Sequence, residues 1–143
     1  MPKQSADISL MMVVAAALVD DRGRVLVQQR PDGRALAGLW EFPGGKVEPG
    51  EQPEAALVRE LREELAIEID PAALTALTFA SMPLTDRHLL LLLYVCRAWN
   101  GDPQPLEASG LAWHHPAALR ELDMPPADAP FIAVLEIALG SRG

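Results

Sequence analysis

The sequence predicts an α+β fold: a single domain, residues 1–143, in which a β-sheet is covered by helices on both faces. Three observations predict it. Short apolar runs, rich in Val, Leu and Ala, recur along the chain and stop at Gly, Pro, Asn or Asp, as strands between turns do. Two longer segments, 53–65 and roughly 128–139, read as substantial helices. No repeat, low-complexity tract or second domain separates them, so both helices must cover the one sheet. With 143 residues, 50% of them hydrophobic, the chain can bury a real core.

Each element has a local reason. Residues 8–19 are mostly apolar and partly β-branched and read as a central strand. Asp20-Asp21-Arg22-Gly23 is a turn, and 24–29 a second strand. Residues 30–39 form a loop marked by Pro and Gly, and 40–42 a short strand that feeds Pro43-Gly44-Gly45. Residues 53–65 contain no Gly and are rich in Glu, Leu, Ala and Arg, good helix formers. Pro53 at the first helical position loses nothing by lacking an N–H, and Glu54 in the first turn suits the macrodipole. Val58, Leu61 and Leu65 mark the buried face; Glu60, Glu63 and Glu64 are expected on the opposite one. Residues 71–74 turn the chain into a strand over 77–82, 85–87 form the next turn, and 88–99 a long buried strand. A polar loop over 100–110, a short strand over 111–114 and a helical turn over 116–122 follow. Met124-Pro125-Pro126 breaks the chain before the last helix, which starts at Asp128 or Ala129 and ends at Leu139.

Charge narrows the partners. Twenty acids against 12 bases leave a net charge of −8, which argues against a DNA or RNA polymer as partner. It leaves room for a small nucleotide whose phosphates are bridged by divalent cations. The lone Cys96 has no internal disulfide partner and reads as a small packed hydrophobe in a reducing compartment. The apolar run over 10–19 is short, follows Asp7 and lacks a basic leader, so no signal peptide is expected. No stretch is long enough to span a membrane. A cytoplasmic protein without an obligate protein partner is expected.

The chemistry concentrates in 45–67, GKVEPGEQPEAALVRELREELAI. Glu60, Glu63 and Glu64 fall at i, i+3 and i+4. Like charges so spaced oppose a helix by roughly 0.2–0.5 kcal/mol per pair, and local rules tend to be broken where function demands it. Magnesium would turn this repulsion into attraction, since it takes oxygen ligands and is commonly held by a few carboxylates together with substrate phosphates. The stretch fits G-x5-E-x7-R-E-U-x-E-E-x-G-U, U being aliphatic, at all but one place: Ala66 stands where the pattern has Gly. A helix often ends there in the left-handed conformation, in which Ala costs on the order of 1 kcal/mol.

This pattern resembles the Nudix box, the signature of hydrolases acting on nucleoside diphosphates linked to another group. With W-E-F-P-G-G-K, D-R-H and M-P-P-A-D-A-P in the same order, nearly the whole chain resembles the MutT-type branch. The resemblance implies an α/β/α sandwich with a mixed sheet, and an essential Mg2+, with Mn2+ as a substitute. It implies hydrolysis of a nucleoside triphosphate to the monophosphate and pyrophosphate, and most directly the removal of 8-oxo-dGTP from the nucleotide pool.

Carried over residue by residue, the resemblance makes Glu60, Glu63 and Glu64 metal ligands together with the carbonyl of Gly44. Gly45, Glu51 and Arg59 hold the box together, with Arg59 pairing Glu51 or Glu63. Glu107 occupies the place of a further loop acid that serves as ligand or base, so the base is Glu60 or Glu107; Asp102 is the weaker loop candidate. Arg30 matches a substrate-binding arginine, Lys46 is placed to meet a phosphate, Asp86 and Arg87 match a pair near the nucleotide, and Phe42 is placed to touch the base. His88, His114 and His115 suit metal ligation poorly beside so many oxygens. In the MutT type the P-P-A segment precedes an asparagine that recognises 8-oxoguanine; here Asp128 stands there. An amide donates and accepts, whereas an ionised carboxylate only accepts. Asp128 therefore opens a second reading, a pyrophosphohydrolase of CTP or modified dCTP, or of another nucleoside-diphosphate-linked substrate. A third role for Asp128 is to cap the last helix. A silent, ligand-binding Nudix domain would be expected to lose helix carboxylates that this chain keeps.

Overall fold

Alternation along the first strand sets the layers. In the computed structural model, which describes residues 8–140, β1 (Leu10–Leu18) sends Ala15 and Ala17 to one face and Val14, Ala16 and Leu18 to the other, and all five are buried. Residues 1–7 and 141–143, which include Asp7 and both ends of the expected domain, lie outside the described residues. The remaining elements are β2 (Val25–Gln29), β3 (Trp40–Glu41), β4 (Gly44–Lys46), α1 (Pro53–Leu65), β5 (Leu74–Pro83), β6 (His88–Cys96), β7 (Gly110–His114) and α2 (Phe131–Ala138).

Helix α1 lays Ala56, Leu57, Leu61 and Leu65 on Val14, Ala16, Leu18, Leu26, Tyr94 and Cys96. Helix α2 covers the opposite face, with Phe131, Ile132 and Leu135 against Ala15, Ala17, Val25, Val27, Leu91 and Leu93. The expected α/β/α sandwich is therefore present, with Cys96 packed as a small hydrophobe.

The single sheet expected from the sequence is in fact two. A four-stranded sheet runs β4-β1-β6-β5, mixed because β1 is parallel to β6 and antiparallel to β4; a three-stranded antiparallel sheet runs β3-β2-β7. β1 and β2 start as a hairpin joined at the Val19–Val25 bridge and then separate. The chain over 40–46 enters the gap, giving Trp40–Glu41 to β2 and Gly44–Lys46 to β1. Pairings this short carry no periodicity to read.

Most boundaries fall within two residues of expectation, and three depart from it for identifiable reasons. β5 begins at Leu74 rather than 77, because a bulge between Ala76 and Thr78 breaks its alternation on the sheet edge. β6 ends at Cys96 rather than Trp99, whose ring leaves the ladder to stack on Trp113 at 6.1 Å. Helix α2 begins at Phe131 with Pro130 as its N-cap, so Asp128 does not cap it. A residue preceding proline is disfavoured in the α region, which moves the start past Pro130.

Ala66 ends α1 in the left-handed conformation, φ 60° and ψ 34°, with its N–H donating to the carbonyl of Arg62. Glycine removes the Cβ penalty of that conformation at some cost in unfolded-chain entropy. Ala66→Gly is expected to raise stability by about 0.5–1 kcal/mol, read as a higher midpoint in urea with unchanged slope. A lower midpoint would contradict the strain.

Candidate active site

The gap between β1 and β2 opens into a pocket of about 520 Å³, walled by Val13 and Met11 of β1, Gln28 of β2, Glu41 and Phe42, the Gly44–Gly45–Lys46 strand, and Glu60 and Glu64 of α1. Arg30 and Arg34 reach it from the loop after β2, Glu107 from the loop before β7, and Asp128 from the turn before α2. Of the residues expected from the sequence, Arg30, Phe42, Gly44, Gly45, Lys46, Glu60, Glu64, Glu107 and Asp128 thus share one pocket.

Arg59 organises the acidic end. Its guanidinium grips Glu51 through two bonds, Nε to Oε2 at 2.8 Å and Nη2 to Oε1 at 3.0 Å. It also reaches Glu60 at 3.0 Å, Glu63 at 3.3 Å and the carbonyl of Lys46 at 3.1 Å. The sequence expectation of a pair with Glu51 or Glu63 becomes a four-way clamp tying α1 to β4. The Arg59 hydrogen bonds, aided by the N–H of Glu48, hold the Glu51 carboxyl down at about 2.

Glu64 corrects one expectation. It does not face solvent beside Glu63 but is 7% exposed, because it lies three residues after Leu61 and seven after Leu57, on the buried stripe. Burial raises its pKa; hydrogen bonds from Gln28 and Gly44 oppose the rise, and the neighbouring Glu60 carboxylate adds to it. Gln28 Nε2 donates to Glu64 Oε1 at 2.7 Å, and the N–H of Gly44 approaches the same oxygen at 3.4 Å. Glu63 remains half-exposed on the Arg59 clamp and is not part of the pocket wall.

Gly45 is needed for space: a Cβ there would overlap the Glu60 carboxylate. A Cβ on Gly44 would collide with the carbonyl of Val14 across the β1–β4 ladder.

The other end of the pocket is built around Asp128, 8% exposed, whose Oδ2 accepts from the N–H of Phe42 at 3.2 Å. Burial pushes its carboxyl up to about 7; the Phe42 N–H and Arg30 pull it down, and Glu41 pushes it further up. Arg30 is held by Glu41 at 2.8 Å and by the carbonyl of Ala35 at 2.7 Å. Phe42 is itself 3% exposed and packs on Phe131, leaving little of its ring to meet a base.

Asp86 and Arg87 are not brought to the pocket wall. They sit in the β5–β6 turn, Asp86 with 80% of its side chain exposed and 3.6 Å from Arg87, and neither lines the pocket. His88 bonds Ser81 at 2.6 Å. Among the pocket residues that escape the sequence reading are Arg34, Glu41 and Gln28. Glu41 lay inside the W-E-F motif without an assigned role. Gln28 carries a signal: it is a buried polar residue following the apolar run Val25–Leu26–Val27 in β2.

Among the described residues, no three acidic, His or Cys side chains form a finished cation cage. The parts nevertheless fit a hard divalent cation. Glu60 and Glu64 face each other with only oxygen to offer, one of them buried, and the Gly45 gap keeps room beside them.

A mixed sheet between two helices, with a glycine-flanked acidic helix at one end of a nucleotide-sized pocket, defines a class. Residues 10–135 match the NUDIX domain, and the chain belongs to that family as a Nudix pyrophosphohydrolase. It is 38% identical over 122 residues to the CTP pyrophosphohydrolase of Escherichia coli (strain K12), covering 85% of this chain and 89% of that one. It is 32% identical over 126 residues to the 8-oxo-dGTP diphosphatase of the same organism, covering 88% and 96%. The solution structure of the E. coli ORF135 protein superposes with a TM-score of 0.85 at 34% identity, covering 98% of both chains.

Proposed function

We propose that this enzyme hydrolyses a nucleoside triphosphate to the monophosphate and pyrophosphate with Mg2+, or Mn2+ in its place, and that its preferred substrate is 8-oxo-dGTP. The observation that carries the base assignment is Asp128: a buried carboxyl at one end of the pocket, anchored through one oxygen by the N–H of Phe42, so that the other oxygen is left to the ligand. In its neutral form a carboxyl both donates and accepts, as the asparagine of the MutT type does. Clearing an oxidised precursor before polymerisation would make the enzyme a cytoplasmic sanitiser of the nucleotide pool, in the service of DNA repair. No helix among the described residues is long and apolar enough to cross a membrane.

Glu60, Glu64 and the Gly44 carbonyl would hold the cation, with Glu63 joining once released by Arg59. When bound, the cation neutralises phosphate charge and acidifies the attacking water. Lys46 meets phosphate oxygens near the acidic helix, and Arg30, close to Asp128, binds the nucleotide further along the pocket. Water adds at phosphorus, the bridging P–O bond breaks towards pyrophosphate, and the water proton passes to a carboxylate. Glu60 and Glu107 both line the pocket as candidates for that proton, and the bond from Arg59 at 3.0 Å that holds Glu60 favours Glu107.

A second reading, CTP or a modified dCTP as substrate, is favoured by the 38% identity to the E. coli CTP pyrophosphohydrolase and by ionised Asp128, which accepts from a cytosine amino group. A pyrophosphate-release screen over CTP, 5-modified dCTP, 8-oxo-dGTP and the normal dNTPs decides. Turnover of 8-oxo-dGTP no faster than of the normal dNTPs would overturn the first reading; absence of any cytosine preference would overturn the second.

Protonation of Asp128 gives this choice a pH dependence. With a carboxyl near 7, the acid form predominates below neutrality and the acceptor-only form above it. The ratio of kcat/KM for 8-oxo-dGTP to that for CTP is expected to fall as pH rises from about 6 to about 8.5, a comparison in which shared chemistry cancels. Asp128→Asn should flatten the ratio; a flat wild-type ratio would refute the assignment. For stability, the raised carboxyl means that the fold favours the proton. Its contribution therefore declines as pH climbs from about 4 through about 7, and Asp128→Asn should raise the thermal midpoint at alkaline pH and not at pH about 4.

A further inference from the structure

The alternation of β2 sends Val25 and Val27 to the α2 face and Leu26 to the α1 face. Residue 28 continues the Leu26 row and should be apolar, yet it is a glutamine, 5% exposed. Its amide lies between two carboxylates: Nε2 is 2.7 Å from Glu64 Oε1 and 3.5 Å from Glu41 Oε2. A carboxylate that holds a cation only accepts, so the NH2 end must face Glu64 when it serves as a ligand. The carbonyl end, Oε1, is left buried without a hydrogen-bond partner. Leaving such an acceptor bare costs stability. A leucine or methionine would avoid that cost, so packing alone does not account for the amide.

Its other end does. Both N–H donors that reach Glu64, from Gln28 and Gly44, converge on the same oxygen, Oε1. No N–H among the described residues occupies Oε2, so the carboxylate is turned with one oxygen pinned and one presented. The same NH2 group lies next to Glu41, which holds Arg30 at 2.8 Å. Gln28 is therefore the link between the acidic helix and the nucleotide-binding arginine.

We propose that Gln28 is a positioning residue that pins Glu64 Oε1 so that Oε2 faces a divalent cation, and that couples this carboxylate to the Arg30–Glu41 pair. This rests on the reading of Glu64 as a cation ligand. Outer partners that orient metal ligands typically contribute 10–100-fold in metal affinity or activity.

The test is Mn2+ binding to the nucleotide-free protein, followed by titration calorimetry or by the loss of the free-ion EPR signal. Gln28→Met keeps the length of the side chain without its hydrogen bonds, and Gln28→Asn keeps the amide but withdraws it by one carbon. Each is expected to weaken Mn2+ about 10–100-fold, and to lower the rate at limiting metal far more than at saturating metal. Leu26→Ala, which loosens the same row without touching a carboxylate, should lower the thermal midpoint and leave Mn2+ affinity unchanged. A folded Gln28→Met or Gln28→Asn with wild-type Mn2+ affinity overturns the proposal. Glu64→Gln separates the two claims. If it binds Mn2+ like wild type, the ligand reading fails; if it loses Mn2+ while the Gln28 variants keep it, only the role of Gln28 fails.

Discussion

Glu64→Gln is expected to abolish cation-dependent hydrolysis while making the metal-free protein more stable. The two effects have one cause. Glu64 is a carboxylate on the buried stripe of α1, facing Glu60, and its pKa is raised by burial and by that neighbour. Without a cation, the fold must either take up a proton there or bury a charge, and glutamine avoids both. Because the folded pKa lies above the unfolded one, the penalty appears only above about pH 4 and grows as pH rises. In EDTA at neutral pH, the midpoint of Glu64→Gln should therefore exceed that of wild type by roughly 2–8 °C for each kcal/mol relieved, a gain that vanishes near pH 4. With Mg2+ and nucleotide, kcat should fall by about 10²-fold or more, since a bound cation supplies several kcal/mol of charge stabilisation. A variant that kept its rate would remove Glu64 from the cation site. One that lost its rate and also lost stability in EDTA would mean that Glu64 supports the fold rather than straining it.

The glycine pair should divide along the same line between fold and function. At Gly44 the obstacle to a Cβ is the backbone carbonyl of Val14 in a paired strand, which cannot move without breaking the ladder. Gly44→Ala should cost about 3 kcal/mol or more and fail to accumulate as folded protein. At Gly45 the obstacle is the end of a flexible side chain, the Glu60 carboxylate. Gly45→Ala should fold with little loss of midpoint, yet displace Glu60 and lower kcat on the order of 10²-fold, as a misplacement of about 1 Å can. Circular dichroism melts and steady-state rates on the two variants check this. Equal damage to both properties in both variants would show that the pair acts as one structural unit.

Much of this was legible before any coordinates. The acidic helix, its proline start and its left-handed end at Ala66 follow from local chemistry, because each depends on residues within a turn or two of one another. What stayed hidden depends on contacts distant in sequence. Glu64 sits on the apolar stripe of α1, a local signal, but its partners Gln28 and Gly44 come from remote strands. The bond from Phe42 to Asp128 spans 86 positions, and that from Gln28 to Glu64 spans 36. The start of α2 was misread for a local reason, the weight of Pro130, and with it went the reading of Asp128 as a cap. The expectation for Asp86 and Arg87 rests on likeness of a short triplet, which carries no information about whether its turn lines a pocket built by remote segments.

The separation of β1 from β2 has a consequence for how such an enzyme can change its substrate. The gap is propped open by residues 40–46, and the phosphate end is furnished by α1, whereas Asp128 arrives on the turn before α2, a different piece of chain on the far side. On the proposed reading, the slot that would admit the phosphates and the group that would read the base belong to different segments, joined at Phe42 by its amide bond to Asp128 and its ring against Phe131. Exchange at position 128 and its neighbours can retune the base while the width of the slot and the cleavage machinery stay as they are, so that new specificities are reachable through functional intermediates.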